Sequence, residues 1–530
     1  MASLTAQRHD EWFDHVMRPR RLGADSDATP LLLGATILGA TLLFWLVHQA
    51  LIDDAYITLT YARTLAEHGQ WGMLPGHEAN SATSPLNVLL LGGLNAILGD
   101  PVVAAGVLYV ATCVALVLGL RGLGRATGLG DRVALLGAPL LIASPLLAST
   151  IGMETMLVVT AMVYLAWACV RQHPVLAGLT TGVLLWLRLD VVVIAAVLLL
   201  ATPALWRRWR VVAGCAAAVV TPWLVFSWFV LGSAIPDTLV IKSGKGWGHF
   251  LAALSKHYGL PFTWAVGGVV VIGGVGLLSA ATWVWWRRYA GSGTSIVLAL
   301  VLAGAAYFAV IWSLGVPPFF WYYAPTFAAL ALAATLGLAA VGTQLAVPSA
   351  RTAAIAIGAG LLTITAVPWS QAATAHTPLR AMPVRANWAL PSQYEQIGRQ
   401  VGATVGDTPV RTAGEVGTIA YFCYCTIADR FSDRARLVES INEARRESWL
   451  LRLNYLMLDT DELRPIEAGY RLDWRSGPGA GVRGWTTTGI ADTERRQGHY
   501  TLLAHRPHKQ GNDGHHAPDR MNPVEVSAQR

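Results

Sequence analysis

Two adjacent carboxylates, Asp53 and Asp54, follow a long apolar run near the start of the chain. Acids beside a membrane span are costly to desolvate, so they usually cap a helix, form an ion pair or perform chemistry. Further acids, bases and aromatic residues stand at the ends of later apolar runs, where a carboxylate can accept a proton and a cationic side chain can bind an anion. We expect them to line one polar cavity. The candidates are Asp53, Asp54, Ser84, Glu154, Arg188, Asp190, Lys242, Lys245, Tyr322 and Tyr323.

The composition predicts a polytopic membrane protein. Of the 530 residues, 54% are hydrophobic and only 13% are charged, and the apolar runs are too long for soluble core helices. The net charge of +7 resides mostly in short arginine clusters between these runs. Such clusters report membrane topology and argue against a nucleic-acid partner. The N-terminal segment lacks the order of a cleavable signal peptide, so the first run is expected to stay as a span.

Apolar runs of about 20 residues predict about eleven membrane crossings. Placing the arginine clusters in the cytoplasm puts the N-terminus inside and the C-terminus outside. The apolar piece 85–98 is too short for a crossing and is expected to be an interfacial or half-inserted helix. The predicted crossings are 31–51, 101–120, 133–150, 155–170, 174–188, 190–205, 211–231, 261–286, 294–314, 322–342 and 352–369.

The expected fold is therefore mainly α, a membrane helical bundle with a small α/β domain outside the membrane. Cys423 and Cys425 are separated by one residue, a spacing that fits neither a zinc site nor an easy disulfide. The predicted divisions are a cytoplasmic segment 1–30, a transmembrane domain 31–369 with an outer loop 53–100, an extracytoplasmic α/β domain 370–505 and a disordered tail 506–530.

Several candidates also have a purely structural interpretation. Asp54 can cap a helix that starts at Ala55, which would leave Asp53 free to react. In the same way, Ser84 can cap a helix with Pro85 in its first turn, and Glu154 can be a favourable charge at a helix N-terminus. Arg188 and Asp190 can form an ion pair between spans, and the segment 319–323 can be an interfacial aromatic belt.

The order of several motifs resembles the GT-C class of membrane glycosyltransferases. These are "DDAYITLTYA", "SATSPLNVLLL", "GMET", "LRLD", "IPDTLVIKSG", "WYYAP" and "AGEVGTIAYF…IADRF". The chain is most similar to the branch of bacterial terminal arabinofuranosyltransferases, and the match runs over most of its length. Met153 replaces the usual leucine, Leu189 replaces the usual proline, and "IADRFSD" matches more loosely.

The resemblance implies an inverting transfer of a sugar, arabinofuranose in this branch, from a polyprenyl-phosphate donor. The acceptor would be a cell-envelope glycan or glycolipid at the outer face of the inner or plasma membrane. Asp53 is the preferred general base, with Asp54 as the second candidate. Lys242 matches the lysine of the family's Pro-x-Thr-x-x-x-Lys loop, with Pro236 and Thr238 matching as well, and would bind the donor phosphate. Arg188 and Lys245 are further candidates for that role.

The resemblance also implies roles for the other candidate residues. Glu154 and Asp190 would hold sugar hydroxyls or orient Arg188, and Tyr322 or Tyr323 would pack on the sugar ring or lipid. No metal is expected to be required, although two adjacent acids can bind a divalent ion. Three rival functions stay open: the same fold with another lipid-linked sugar such as mannose, a transporter or flippase of lipid-linked sugars, and a structural scaffold.

Overall fold

The computed structural model describes most of the chain, and three of the predictions fall outside the described part. Lys245, the predicted tail 506–530 and all but the last two residues of the predicted cytoplasmic segment 1–30 lie outside it. The described residues are 29–242, 263–290, 296–316, 319–344, 348–374, 382–384, 389–412, 415–475, 477, 479–489 and 496–504.

The first part of the described chain is helical, and prolines start several of its helices. At the start of α4, the Asp100 carboxylate accepts hydrogen bonds from the backbone N–H groups of Val102 and Val103, and Pro101 occupies the first turn, a strong helix start. The helices are α1 Thr29–Val47, α2 Asp53–His68, α3 Pro85–Leu98, α4 Pro101–Ala126, α5 Arg132–Ile142, α6 Pro145–Ala148, α7 Thr155–Val170, α8 Pro174–Leu187, α9 Val192–Leu200, α10 Pro203–Trp206, α11 Trp209–Val230, α12 Thr238–Lys242, α13 Thr263–Ala290, α14 Ile296–Ser313, α15 Ala324–Gln344 and α16 Pro348–Thr374.

Among the described residues, seven helices are long and apolar enough to cross a membrane: α1, α4, α11, α13, α14, α15 and α16. The expectation of a multi-pass, mainly helical membrane protein is confirmed. Four more of the predicted crossings contain the shorter apolar helices α5, α7, α8 and α9. The total of about eleven crossings and their orientation stay predictions.

The helices of the loop 53–100 correct two predicted helix caps. Helix α2 begins at Asp53 itself, with Ile52 at the capping position and no side-chain cap, so the prediction that Asp54 caps a helix starting at Ala55 is wrong. Both acids lie in the first turn, where negative charge is favourable. Helix α3 has the predicted bounds, but the prediction that Ser84 caps it is also wrong, because the buried Ser84 hydroxyl makes no hydrogen bond within the described structure.

The C-terminal domain, described within 389–504, is a small α/β unit built on one sheet. The strands are β1 Val410–Thr412, β2 Ile427–Ala428, β3 Tyr470–Arg475, β4 Arg483–Gly489 and β5 Arg496–Ala504, and the helices are α17 Pro391–Val405, α18 Gly417–Cys423, α19 Val438–Glu447 and α20 Trp449–Asn454. The strand order is β2-β1-β3-β5-β4. Strand β1 pairs in parallel with β2 and β3, and β5 pairs antiparallel with β3 and β4.

A disulfide joins Cys423 and Cys425, which corrects the expectation that their spacing disfavours one. Tyr424 between them has φ +52° and so adopts the left-handed conformation. This conformation turns the chain sharply after α18 and brings the two Cα atoms to 5.0 Å, within the range that a disulfide requires.

The C-terminal domain shares a hydrophobic core with the loop 53–100. Tyr61 and Trp71 of the loop, Trp223 of α11, and Tyr394 and Ile419 of the domain all belong to one buried cluster. A separate, larger cluster lies among the apolar helices. Because the smaller core crosses the boundary between loop and domain, the domain is held against α2 at the end of the membrane bundle.

Candidate active site

Lys242 and Asp54 form a buried ion pair. The Lys242 ammonium, at the end of α12, donates a hydrogen bond to Asp54 Oδ2 at 3.1 Å, across 188 residues of sequence. The two side chains are only 11% and 19% exposed. Burial is the largest single influence and lowers the pKa of Lys242, but the charge and hydrogen bond of Asp54 together with Tyr322 outweigh it, so that the net pKa lies above its ordinary value. The lysine is therefore a fixed positive charge.

A second buried ionic group surrounds Arg188. Its guanidinium binds Asp190 through two hydrogen bonds of 3.0 and 2.5 Å and donates a third to Glu154 at 2.9 Å. Tyr307 of α14 donates its hydroxyl to Asp190 at 3.1 Å. The structure thus contains the ion pair between helix ends that the sequence left open, and Glu154 belongs to it.

Tyr322 connects the two ionic groups. The Arg188 guanidinium carbon lies 5.3 Å from the centre of the Tyr322 ring. Burial raises the pKa of Tyr322, while the positive charges of Lys242 and Arg188 act on it in the opposite direction. We call Asp54, Lys242, Tyr322, Arg188, Glu154, Asp190 and Tyr307 the charged cluster.

The aromatic segment beside the cluster is not an interfacial belt, so that interpretation of the sequence is wrong. Four of its five residues, Phe320, Trp321, Tyr322 and Tyr323, are buried, whereas a belt would face lipid headgroups. The Phe319 ring lies 5.8 Å from the Lys242 ammonium. The segment therefore forms an apolar wall of the cluster, which limits its contact with water.

Asp53 faces the C-terminal domain instead of the charged cluster. Its carboxylate accepts hydrogen bonds from the Thr418 N–H at 2.7 Å, the Thr418 hydroxyl at 2.9 Å and the Gly417 N–H at 3.1 Å. Burial raises the pKa of Asp53 to about 6, the Thr418 N–H opposes the rise, and the charge of Asp54 adds to it. The result is a well-oriented carboxylate with a raised proton affinity.

Gly417 permits the close approach between α18 and α2. A Cβ atom at this position would lie 2.1 Å from the Asp53 carbonyl oxygen and 2.8 Å from the Ile57 nitrogen. Arg63 of α2 adds a hydrogen bond of 3.0 Å to the Tyr421 carbonyl and stacks on the Tyr421 ring at 3.8 Å. Any larger residue at 417 would push the domain away from Asp53.

A buried salt bridge fixes α12, the helix that carries Lys242. Arg434 of the C-terminal domain binds Asp237 at 2.9 Å and the Ser233 hydroxyl at 2.7 Å. The backbone N–H of Asp237 donates to the Asn80 carbonyl at 2.7 Å. Phe431 of the domain reaches to 5.6 Å from the Lys242 ammonium. The C-terminal domain thus positions both halves of the site.

Most of the described candidates lie in or beside the charged cluster. Asp54, Lys242, Arg188, Glu154, Asp190 and Tyr322 come together in the charged cluster, and Asp53 lies beside it on the first turn of α2. Tyr323 is buried next to Tyr322, and Ser84 is buried at the start of α3. In the described part of the chain, no group of three or more His, Cys, Asp or Glu is placed to hold a metal ion.

Sequence reasoning assigns no role to four residues of this region: Thr418, Tyr307, Asp237 and Phe431. Thr418 and Phe431 lie in the motifs "AGEVGTIAYF" and "IADRF", and Asp237 lies between the matched Pro236 and Thr238. The sequence therefore shows the motifs that contain these three residues, but it does not show which residues their side chains contact. Tyr307 lies inside an apolar helix and carries no local signal.

No protein-family model and no curated protein sequence matches the chain. Solved structures do. The chain is similar to the apo structure of ArnT from Cupriavidus metallidurans, with 15% identity over 76% of this chain and 86% of that one and a TM-score of 0.50. The ArnT structure with bound undecaprenyl phosphate gives 13% identity over the same shares and a TM-score of 0.47.

The arabinofuranosyltransferase AftD from Mycobacteria is also similar, with 13% identity over 92% of this chain and 41% of that one and a TM-score of 0.49. Sequence identities this low show only that two proteins share a fold. The similarity to apo ArnT is the comparison on which the fold assignment rests. The chain therefore has the fold of the GT-C membrane glycosyltransferases, as its sequence resemblance implies.

Proposed function

We propose that the protein is an inverting glycosyltransferase that moves a sugar from a polyprenyl-phosphate donor to a glycan or glycolipid acceptor. The observation that carries the proposal is the buried ion pair of Lys242 and Asp54, set at the end of the membrane bundle beside Asp53. In a GT-C fold, this arrangement places a fixed positive charge, which can bind a phosphodiester, next to a pair of carboxylates.

Lys242 is the proposed partner of the donor phosphate. An ammonium group has three donors, so Lys242 can keep its hydrogen bond to Asp54 and still bind a phosphate oxygen. Arg188 is less suited to this role, because Asp190 and Glu154 already occupy its guanidinium. Its proposed role is to hold α7 and α8 together around Tyr322. Glu154, Asp190 and Ser84 are the proposed contacts of sugar or acceptor hydroxyls.

Asp53 is the proposed general base. Its raised pKa of about 6 favours proton uptake near neutral pH, whereas the Asp54 carboxylate is neutralised by Lys242. Helix capping by Asp54, the reason that the sequence offers for preferring Asp53, does not hold. The surroundings of the two acids support the same choice on different grounds.

The proposed reaction is a single displacement. An acceptor hydroxyl oxygen forms a bond to the anomeric carbon as the bond between that carbon and the phosphate oxygen breaks. The hydroxyl proton passes to Asp53, and the electron pair of the broken bond leaves with the polyprenyl phosphate anion beside Lys242. One displacement inverts the anomeric configuration, and a stable phosphate needs no protonated acid.

Three finer points belong to this proposal. The sugar is arabinofuranose, on the sequence resemblance alone. The donor lipid is supported by ArnT, a protein of the same fold that was solved with undecaprenyl phosphate. The site faces outward from the inner or plasma membrane, which the Cys423–Cys425 disulfide supports, because disulfides persist in oxidising compartments.

A transporter of lipid-linked sugars receives less support. Transport pathways place paired charges near the middle of spans. The seven candidate spans of the described chain contain no Asp or Glu, and their few arginines lie near helix ends. Asp53, Asp54, Glu154 and Asp190 lie instead together at one end of the bundle.

The test is sugar transfer by the purified full chain in lipid nanodiscs. Decaprenyl-phospho-arabinose and decaprenyl-phospho-mannose are offered separately with a short arabinoside acceptor. Transfer from the arabinose donor with inversion supports the whole proposal. Transfer only from the mannose donor would show that the sugar is wrong and the reaction right. In sealed vesicles that contain the protein, movement of either donor across the bilayer without any transfer would contradict the proposed enzyme activity.

A further inference from the structure

One face of the C-terminal domain exposes large apolar side chains although the domain is globular. Helix α20 and the turn after it carry Trp449, Leu450, Leu453, Leu456 and Met457, which are 72%, 56%, 49%, 55% and 43% exposed. Contiguous exposed apolar residues of this size are uncommon on a soluble surface and mark an interaction site.

The pattern along this segment is amphipathic. Trp449 and Leu453 are four residues apart on one face of α20, and the exposed Leu456 and Met457 follow in the turn after it. On the opposite side, Asn454 and Tyr455 are buried, and Asn454 accepts a hydrogen bond from the Ile235 N–H at 2.7 Å. The buried side of the segment therefore attaches it to the rest of the protein, and its apolar side chains are exposed.

The apolar face continues an exposed surface of a membrane span. Trp228, near the end of α11, donates its indole N–H to the Leu453 carbonyl at 3.1 Å. At the same end of α11, Phe226, Phe229 and Val230 are exposed. The 22 residues of α11 have a length of about 33 Å, which matches a hydrocarbon core of about 30 Å. Helix α20 therefore lies at the level where that core ends.

We propose that the segment 449–457 is a lipid-binding surface that lies in the membrane interface and holds the C-terminal domain against the bilayer. The occupant is lipid, because the exposed face is continuous with the lipid-facing end of α11. Tryptophan at the start of the segment suits the headgroup level. The exposed Arg452 can extend its charged group toward the headgroups while its stem covers apolar surface.

The proposed surface can be tested with spin labels on the full chain in phospholipid nanodiscs. Leu450→Cys and Leu453→Cys are labelled in a background in which Cys113, Cys169 and Cys215 are replaced by serine. The control is Val482→Cys, just before β4, which is 55% exposed and so matches Leu450. We expect collisions with a water-soluble nickel chelate to be several-fold rarer at 450 and 453 than at 482, and collisions with oxygen to be more frequent.

Two results would overturn the proposal. Nickel collisions equal to those at 482 would place the segment in water. Low collision rates with both reagents would mean that protein, such as a second copy of the chain, covers it. A measurement on the unaltered chain avoids any effect of substitution: lipids with a diazirine in the acyl chain should form adducts within 449–457, and adducts elsewhere in the domain but not there would contradict the proposal.

Discussion

Thr418 donates two hydrogen bonds to Asp53, one from its backbone N–H and one from its hydroxyl, across 365 residues of sequence. Both bonds stabilise the ionised carboxylate and lower its pKa, against the larger effect of burial. The C-terminal domain therefore contributes to the proton affinity of the proposed base, and the pH dependence of the proposed transfer should report this contact.

The pH profile of Thr418→Val tests that relationship. The base must be ionised to accept a proton, so the parent should lose activity as the pH falls through about 6. Loss of the Thr418 hydroxyl should raise the pKa of Asp53 and shift the acidic limb to higher pH, while the N–H still orients the carboxylate. The measurement is kcat/KM against pH for both proteins. A uniformly lower profile with an unmoved acidic limb would mean that Thr418 acts only through the fold.

Lys242→Met should weaken donor binding. Loss of one charge-assisted hydrogen bond to phosphate costs about 1.5–3 kcal/mol, or about 10- to 100-fold in affinity. The measurement is the Kd for decaprenyl phosphate, which carries no sugar and isolates the phosphate contact. The matched control is Asp54→Asn, which keeps the ammonium and should bind at least as well as the parent. An unchanged Kd for Lys242→Met would mean that this lysine does not bind the donor phosphate.

Arg188→Met should destabilise the protein more than it alters donor binding. The substitution leaves Glu154 and Asp190 buried without their cation, a situation that costs about 3–5 kcal/mol. Thermal unfolding in detergent should show a large fall in the midpoint, partly restored when Glu154→Gln and Asp190→Asn are added. The control is Arg399→Met, which removes an exposed ion pair with Glu395 and should change little. A variant that is stable but binds the donor weakly would contradict this prediction and would mean that Arg188 binds the donor phosphate.

Activity should survive removal of divalent metal ions. Lys242 supplies positive charge where the phosphate leaves, so the proposed reaction needs no metal. The measurement is transfer after treatment with EDTA and dialysis, compared with mock-treated protein. Activity that disappears and then returns with added magnesium or manganese would show that a metal ion is required.

The features that depend on local pattern could be predicted from the sequence. Apolar runs located the helices, and the bounds of α3 came from the short apolar piece that starts at Pro85. Ordered motifs pointed to the fold and to most residues of the charged cluster, because these residues stand at or near the ends of helices. These ends meet when the helices pack side by side.

The errors concern contacts that no local pattern contains. Helix α2 begins one residue before the expected cap, so Asp54 turns toward Lys242. The left-handed backbone of Tyr424 allows a disulfide between cysteines whose spacing alone argues against it. The hydrogen bonds of Thr418 to Asp53 and of Tyr307 to Asp190 depend on packing between distant segments, which periodicity does not show.

The most direct test of the central claim compares Asp53→Asn with Asp54→Asn in a single-turnover transfer assay with donor bound in advance. Asn is close to Asp in shape but cannot take the proton, so we expect Asp53→Asn to lower the transfer rate by about 10²–10⁴-fold while binding of decaprenyl phosphate and thermal stability are retained. Asp54→Asn should keep most of the rate, since Lys242 remains. Parent-like transfer by Asp53→Asn, with the loss confined to Asp54→Asn, would contradict the account and assign the base to Asp54.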